Sequence, residues 1–312
     1  LARHEEREFA DGEHKARPLV STRGRDVCVV QSLYQDDTQS VNDKLCRLLF
    51  FIAALRDNGA HQITAVVPYL AYARKDRQTK PRDPVTTRYV AQLLEAVGVD
   101  RVVAVEVHNV AAFQNAFRCP SVHVDTGRLF AEYAQTLGLA PPVVVVSPDP
   151  GGVKRAQRFR DRLKALGLPA QQAFVDKRRS GDVLSGETMV GIVAGATVLI
   201  FDDLIASGST MARAASLAHQ LGARSVMLLA THGLFTDGAE TTLRSAPITR
   251  VIVTDSVPPF RLTPAFAKDR LDIVSICPMI AESIRRLHHG GSIAELLGDD
   301  ESSAPSAGPG GE

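Results

Sequence analysis

The stretch VLIFDDLIASGST, residues 198–210, decides how the rest of the chain is read. Four apolar side chains lead into two adjacent carboxylates, Asp202 and Asp203, and then into a turn of small residues, Ala206, Ser207, Gly208, Ser209 and Thr210. The helical pattern MARAASLAHQLGA follows. A short unbroken apolar run is the signature of a buried parallel strand, and Thr210 stands where an N-cap would. The stretch therefore predicts strand, turn, helix. Such a turn aims backbone N–H groups and hydroxyls at one spot, which favours a phosphate. The two carboxylates can accept hydrogen bonds from a polyol such as ribose, directly or through Mg²⁺. Together they point to a sugar phosphate, although the same residues would also serve a strand that simply ends and a helix that is simply capped.

Outward from this stretch the same plan recurs in both directions. On the N-terminal side, DVCVVQSLY and ITAVVPYL read as strands separated by a helix over VNDKLCRLLFFIAALRDNG, which Asn58-Gly59 ends. VTTRYVAQLLEAVG is an amphipathic helix and DRVVAVEVH a strand ending at His108; VHVDTGRLFAEYAQTLG has a helical period. PVVVVSPDPGG gives a strand, an acid at its end (Asp149) and a Gly-Gly turn, with a basic helix start at Lys154 and Arg155. QQAFVDKRRSGDVLSGE gives a strand and then Lys177, Arg178 and Arg179 in what reads as a mobile loop. Two more strands, a last strand–helix pair and the tail GDDESSAPSAGPGGE complete the chain.

Alternating strands and helices predict two tandem α/β domains, each a mainly parallel sheet flanked by helices. The boundary falls near Asp125: residues 1–125, 126–298, and a disordered tail, 299–312. Ligands of such sheets collect at the C-terminal ends of strands, where His108, Asp149, Lys177 and Asp202 all fall. The segment AYARKDRQTKPRDP also follows a strand, and its cations Arg74, Lys75, Arg77, Lys80 and Arg82 suit either a polyphosphate or a solvated loop. His108 reads either as a structural hydrogen bonder or as a metal or phosphate contact.

The 312 residues are 45% hydrophobic and 23% charged with a net charge of +1, which gives no electrostatic case for nucleic acid or a membrane surface. The longest apolar run, at 48–55, is about eight residues, well short of a membrane span. Cys28, Cys46, Cys119 and Cys277 lack metal-ligand spacing and read as reduced core residues of a cytoplasmic protein.

The ordered set F-x-D-G-E at Phe9, V-N-D, Y-A-R-x-D-R, a strand ending in His, S-P-D-x-G-G-V-x-R-A, D-K-R-R, the acid-acid loop, T-H-G-x-F and V-T-D resembles the ribose-phosphate pyrophosphokinase family from about Phe9 to Leu297. The resemblance implies two type I phosphoribosyltransferase-like domains and a Mg²⁺-dependent diphosphoryl transfer from ATP to ribose 5-phosphate. By position, Asp202, Asp203 and the turn Ala206, Ser207, Gly208, Ser209, Thr210 would hold ribose 5-phosphate together with Arg179. Phe9, Asp11, Gly12 and Glu13 would serve the adenine end of ATP, reaching a neighbouring subunit in a dimer-based homo-oligomer, commonly a hexamer. Arg74 and Lys75 would sit at the nucleotide. His108 and Asp149 would hold Mg²⁺, and Lys177 would be the active-site lysine.

Three departures stand out. Family members usually carry a further strand and helix before the F-x-D-G-E segment, so the first sheet is expected to lack an edge strand or its start. An Asp common in the ribose loop is Ala206 and a Gly is Ser209. Lys75 replaces a usual Gln, which exchanges an amide that donates and accepts for a donor-only cation and puts adenine selectivity in question. These departures leave a non-catalytic, synthetase-associated regulatory subunit as the alternative reading. A nucleobase phosphoribosyltransferase would leave the N-terminal motifs without a role.

Overall fold

The computed structural model describes residues 1–180 and 183–298; the side chains of 177–186 lie outside that description, as does the predicted disordered tail. The chain opens with a hairpin of β1 (His4–Glu8) and β2 (His14–Pro18) that the sequence reading did not anticipate. Its strands carry almost no apolar residues and pair through charge instead, as Arg17 and Glu5 do at 2.6 Å. The F-x-D-G-E group forms the tip: Phe9 N donates to Glu13 O at 2.8 Å, and Gly12 takes φ +88°.

The first sheet follows: β3 (Asp26–Val30), α1 (Val41–Asp57), β4 (Gln62–Val67), α2 (Thr86–Ala96), β5 (Arg101–Val105), α3 (Val110–Ala116) and β6 (Ser121–Val124). The four strands lie in the order β3-β4-β5-β6, all parallel. A capping box between Ser40 and Asp43 starts α1. Two expectations change here. Residues 122–124, included in a helix by periodicity, belong to the last strand of this sheet, and α3 is too short to have shown a period.

The second sheet is built from α4 (Gly127–Thr136), β7 (Val143–Ser147), a 3-10 turn (Pro150–Gly152), α5 (Val153–Ala165), β8 (Ala170–Ser180), β9 (Val183–Val190), β10 (Thr197–Ile205), α6 (Ser209–Gln220), β11 (Ser225–Gly233), α7 (Ala239–Ser245), β12 (Arg250–Thr254), α8 (Pro264–Arg270) and β13 (Leu271–Val274). Its order is β13-β12-β11-β10-β7-β8-β9, and only the β8/β9 pair is antiparallel. Lys177 and Arg179 thus lie on a strand rather than in a loop, because β8 runs on into a hairpin with β9.

β10, near the centre of this sheet, is buried on both faces. Val198 and Ile200 pack with Ala214, Ala215 and Ala218 of α6, while Leu199 and Phe201 face the aromatic residues of the other layer. Phe201 stands 4.4 Å from Phe159 and 5.6 Å from Phe130, ring centre to ring centre. Both sheets belong to one compact unit, Leu1–Ile276, and Asp125 lies between them in sequence.

The second unit holds α9 (Cys277–His289) and α10 (Ile293–Leu297). Arg286 joins them by donating to Ser292 O at 2.6 Å and pairing with Glu295 at 2.8 Å. The cysteines are not core residues: Cys28, Cys46 and Cys277 are exposed and Cys119 is half-buried. β3 alternates outward, which leaves Cys28 and Val30 on an open sheet edge. Among the described residues no helix is long and apolar enough to cross a membrane.

Candidate active site

The acid pair is not at the end of its strand. β10 continues two residues beyond it, with Asp202 opposite Ala230 and then Leu204 opposite His232 and Ile205 opposite Gly233 on β11. The backbone then turns at Gly208, φ +75°, and α6 begins at Ser209 with Gly208 as its N-cap, so Thr210 lies inside the first turn instead of capping it. The hydroxyls of Ser207 and Ser209 stand 3.0 Å apart. Asp202, Asp203 and residues 204–210 line a cleft whose other walls are Arg74, His108 and Asp149. These sequence-predicted residues are therefore brought together.

β5 ends at Val105, and the three residues beyond it turn sharply, with Glu106 at φ +41°. This turn brings His108 Nδ1 to 2.9 Å from Asp203 Oδ2. Arg155, in the first turn of α5, reaches both sides: Nε to Glu106 Oε1 at 3.0 Å, Nη1 to Asp202 Oδ1 at 2.8 Å and Nη2 to His108 O at 3.2 Å. The electrostatics follow from the packing. The Asp203 hydrogen bond holds His108 above the usual histidine range against its burial. Burial pushes Asp203 up, but His108 and the Arg155 charge hold it below the usual carboxylate range. Asp202 is raised, by burial and by the charge of Asp203 beside it. Burial also pushes Glu106 up, and Arg155 with His123 brings it down below its ordinary value. Asp202 is then the last of the three acids to ionise.

A second cleft meets the first at His108, Asp149 and Asp202. Its walls are cationic, with Arg77, Lys154, Arg155 and Arg158, and it takes in the 3-10 turn and the start of α3. Asp149 shapes that turn by accepting from Gly152 N at 3.1 Å. Asp76 holds the basic segment against the same place, accepting from Asn109 Nδ2 at 2.6 Å and from Arg77. Among the described residues no three His, Cys, Asp or Glu side chains are grouped to hold a metal. His108 and Asp149 nonetheless share both clefts, and Mg²⁺ takes one or two protein ligands, with phosphate oxygens and water completing its shell.

The other predicted residues divide. Lys75 turns onto its own segment, 2.5 Å from Asp83 Oδ2 and 3.0 Å from Thr79 Oγ1, and lines neither cleft. Phe9, Asp11, Gly12 and Glu13 sit at the hairpin tip and line neither cleft; Gly12 and Glu13 border a groove with α1, where His14 stacks on Phe50. Lys177 and Arg179 are on β8, their side chains outside the described residues.

Residues 1–98 match the profile of the N-terminal domain of ribose phosphate pyrophosphokinase, and residues 184–298 match a phosphoribosyl synthetase-associated domain. A ribose-phosphate pyrophosphokinase of Caldanaerobacter subterraneus subsp. tengcongensis is 37% identical over 95% of this chain and 90% of its own length. The chain belongs to the ribose-phosphate pyrophosphokinase family. A relative of the same name from Parasynechococcus marenigrum is 38% identical over 93% of this chain and 84% of its own. The phosphoribosylpyrophosphate synthetase of Mycobacterium smegmatis superposes with a TM-score of 0.83 at 35% identity, covering 93% of this chain and 92% of that one. The tandem phosphoribosyltransferase-like architecture expected from the sequence is thereby shown.

Within this candidate site, sequence reasoning assigned no role to Arg155 or Glu106, which the fold brings together. Arg155 counted as part of a basic helix start and of the S-P-D-x-G-G-V-x-R-A motif, with no role of its own. The available signal was its position, since a cation in the first turn of a helix opposes the dipole and calls for compensating anions.

Proposed function

We propose that the chain is a ribose-phosphate diphosphokinase that moves the β,γ-diphosphoryl group of ATP to the 1-hydroxyl of ribose 5-phosphate, giving phosphoribosyl pyrophosphate and AMP. The observation that carries this reading is the meeting of two unlike clefts at His108, Asp149 and Asp202, one lined by acids and hydroxyls and the other by cations. The first suits a sugar phosphate: Asp202 and Asp203 accept from ribose hydroxyls while the backbone N–H groups and hydroxyls of residues 206–210 take the 5-phosphate. The second suits a triphosphate, with Arg77, Lys154 and Arg158 in its walls and Arg74 on the adjoining first cleft.

Attack of the 1-hydroxyl on the β-phosphorus builds negative charge on the oxygens in flight, so positioning and cations supply most of the catalysis. Lys177 is assigned to that charge and Arg179 to the ribose phosphate, both from β8, which pairs with β9. His108 and Asp149 would hold Mg²⁺ together with the triphosphate, and the ion would supply neutralisation of phosphate oxygens there. Phe9, Asp11, Gly12 and Glu13 are assigned to the adenine of a neighbouring chain's site, since they line neither cleft of their own. Lys75 is assigned to the nucleotide side through its segment, its charge already neutralised by Asp83. Nucleotide precursor biosynthesis in the cytoplasm is the setting this reaction fits.

The test is AMP release by the purified chain with ATP and Mg²⁺, with and without ribose 5-phosphate. Release only with the sugar is expected. AMP without the sugar, or none at all, overturns the proposal. Binding of ribose 5-phosphate without turnover would instead favour the regulatory-subunit reading that Ala206 suggests, since Ala206 offers no carboxylate in the ribose loop.

A further inference from the structure

Arg155 is an expensive residue where it stands. It is 10% exposed, sits in the first turn of α5 where the dipole disfavours a cation, and spends all three guanidinium nitrogens on protein atoms. Those atoms come from two different sheets. Glu106 and the His108 carbonyl follow β5 of the first sheet, and Asp202 lies in β10 of the second. Glu106 is itself fixed from every side in a left-handed conformation: its N donates to Val124 O at 3.0 Å, its carbonyl faces His232 Nε2 at 3.1 Å, and its carboxylate accepts from Thr126 N at 3.3 Å. A residue over-determined in this way is a rigid anchor. Arg155 thus connects an immobile point on one sheet to the carboxylate that faces the ribose cleft on the other.

We propose that Arg155 is a positioning residue that holds Asp202 in register with the Glu106–His108 turn, so that one guanidinium sets the sugar side and the triphosphate side of the site relative to each other. The inference rests on the reading of Asp202 as a ribose contact and His108 as a triphosphate-side contact. Its consequence is directional. Weakening the link on the Glu106 side, which lies on the other sheet from the ribose loop, loosens ribose 5-phosphate. A planar fork reaches Glu106, Asp202 and a carbonyl from three separate nitrogens, whereas an ammonium carries all its donors on one atom and does not reproduce that spread.

Steady-state kinetics of the wild type, Arg155→Lys and Glu106→Gln, each with a thermal unfolding curve, test this. Arg155→Lys keeps a buried cation for Glu106 and so guards against misfolding. Both variants should fold, and both should raise the KM for ribose 5-phosphate by about tenfold or more, a misplacement effect. The double variant should cost little more than either change alone, because both cut the same link. A KM for ribose 5-phosphate within about twofold of wild type in both variants, with only stability or kcat reduced, would overturn the inference, since a purely structural role moves those alone. A rise confined to the KM for ATP would also overturn it and make Arg155 a phosphate contact. If the wild type itself released no AMP, the functional reading would fall first and this inference with it, which separates the two failures.

Discussion

Asp203 and His108 hold each other charged, and that mutual dependence has a measurable sign. The folded-state pKa of His108 is raised, so its contribution to stability is present in full below the unfolded value, about 6.5, and is lost as pH rises through the folded value. The difference in unfolding free energy between wild type and His108→Gln, in metal-free buffer, should therefore shrink as pH climbs above about 6.5. A difference that stays flat or grows would remove the pair. His232 acts with the opposite sign: burial lowers its pKa, so what it adds is lost as pH falls. It cancels in the comparison because both proteins carry it. Lys177 belongs to the proposed chemistry. Lys177→Ala should lower kcat by about a hundredfold or more while the melting temperature barely moves, and a near-normal kcat would take Lys177 out of the mechanism.

At the scale of elements, the junction of β10 and α6 joins packing to function. Gly208 takes φ +75°, and a Cβ placed there would approach Leu243 Cδ2 at 3.1 Å. Gly208→Ala should cost about 1–2 kcal/mol for the left-handed backbone alone and raise the KM for ribose 5-phosphate as the turn shifts. Calorimetry and kinetics on the same preparation read both effects; unchanged KM with lowered stability would mean that the turn does not touch the sugar. On the other side of the strand, Phe201 is 1% exposed between Phe130 and Phe159. Phe201→Ala should destabilise by about 3–5 kcal/mol in denaturant unfolding, since a packed aromatic layer collapses poorly around a cavity. Asp202 follows Phe201 directly, so the support of the acid pair is this layer and the apolar face of α6.

For the whole molecule, the hairpin tip lies outside both clefts of its own chain, which makes a dimer-based assembly the proposed route by which Phe9, Asp11 and Glu13 reach a nucleotide. Mixing Asp11→Ala with Lys177→Ala should then restore part of the activity that each lacks alone, because intact hairpin and intact site meet across the interface; no recovery on mixing would make each site self-contained. The apolar runs of β4, β5, β7 and β10 and the periods of α1, α2, α5 and α6 are local patterns, and the sequence by itself was enough to place them. The same holds for the acid pair and small-residue turn, whose chemistry is written in adjacent residues. The hairpin of β1 and β2 escaped because charge pairs, not apolar alternation, hold it, and β6 escaped because four residues carry no decisive period. Lys75 could be recognised as a cation but not as one already paired with Asp83 eight positions away. Arg155 is the clearest case of what only the tertiary structure decided. Its partners Glu106 and Asp202 lie 49 and 47 residues away on either side, and the strength of a buried charge depends on which groups the fold brings within about 3–4 Å, a quantity that no local pattern contains.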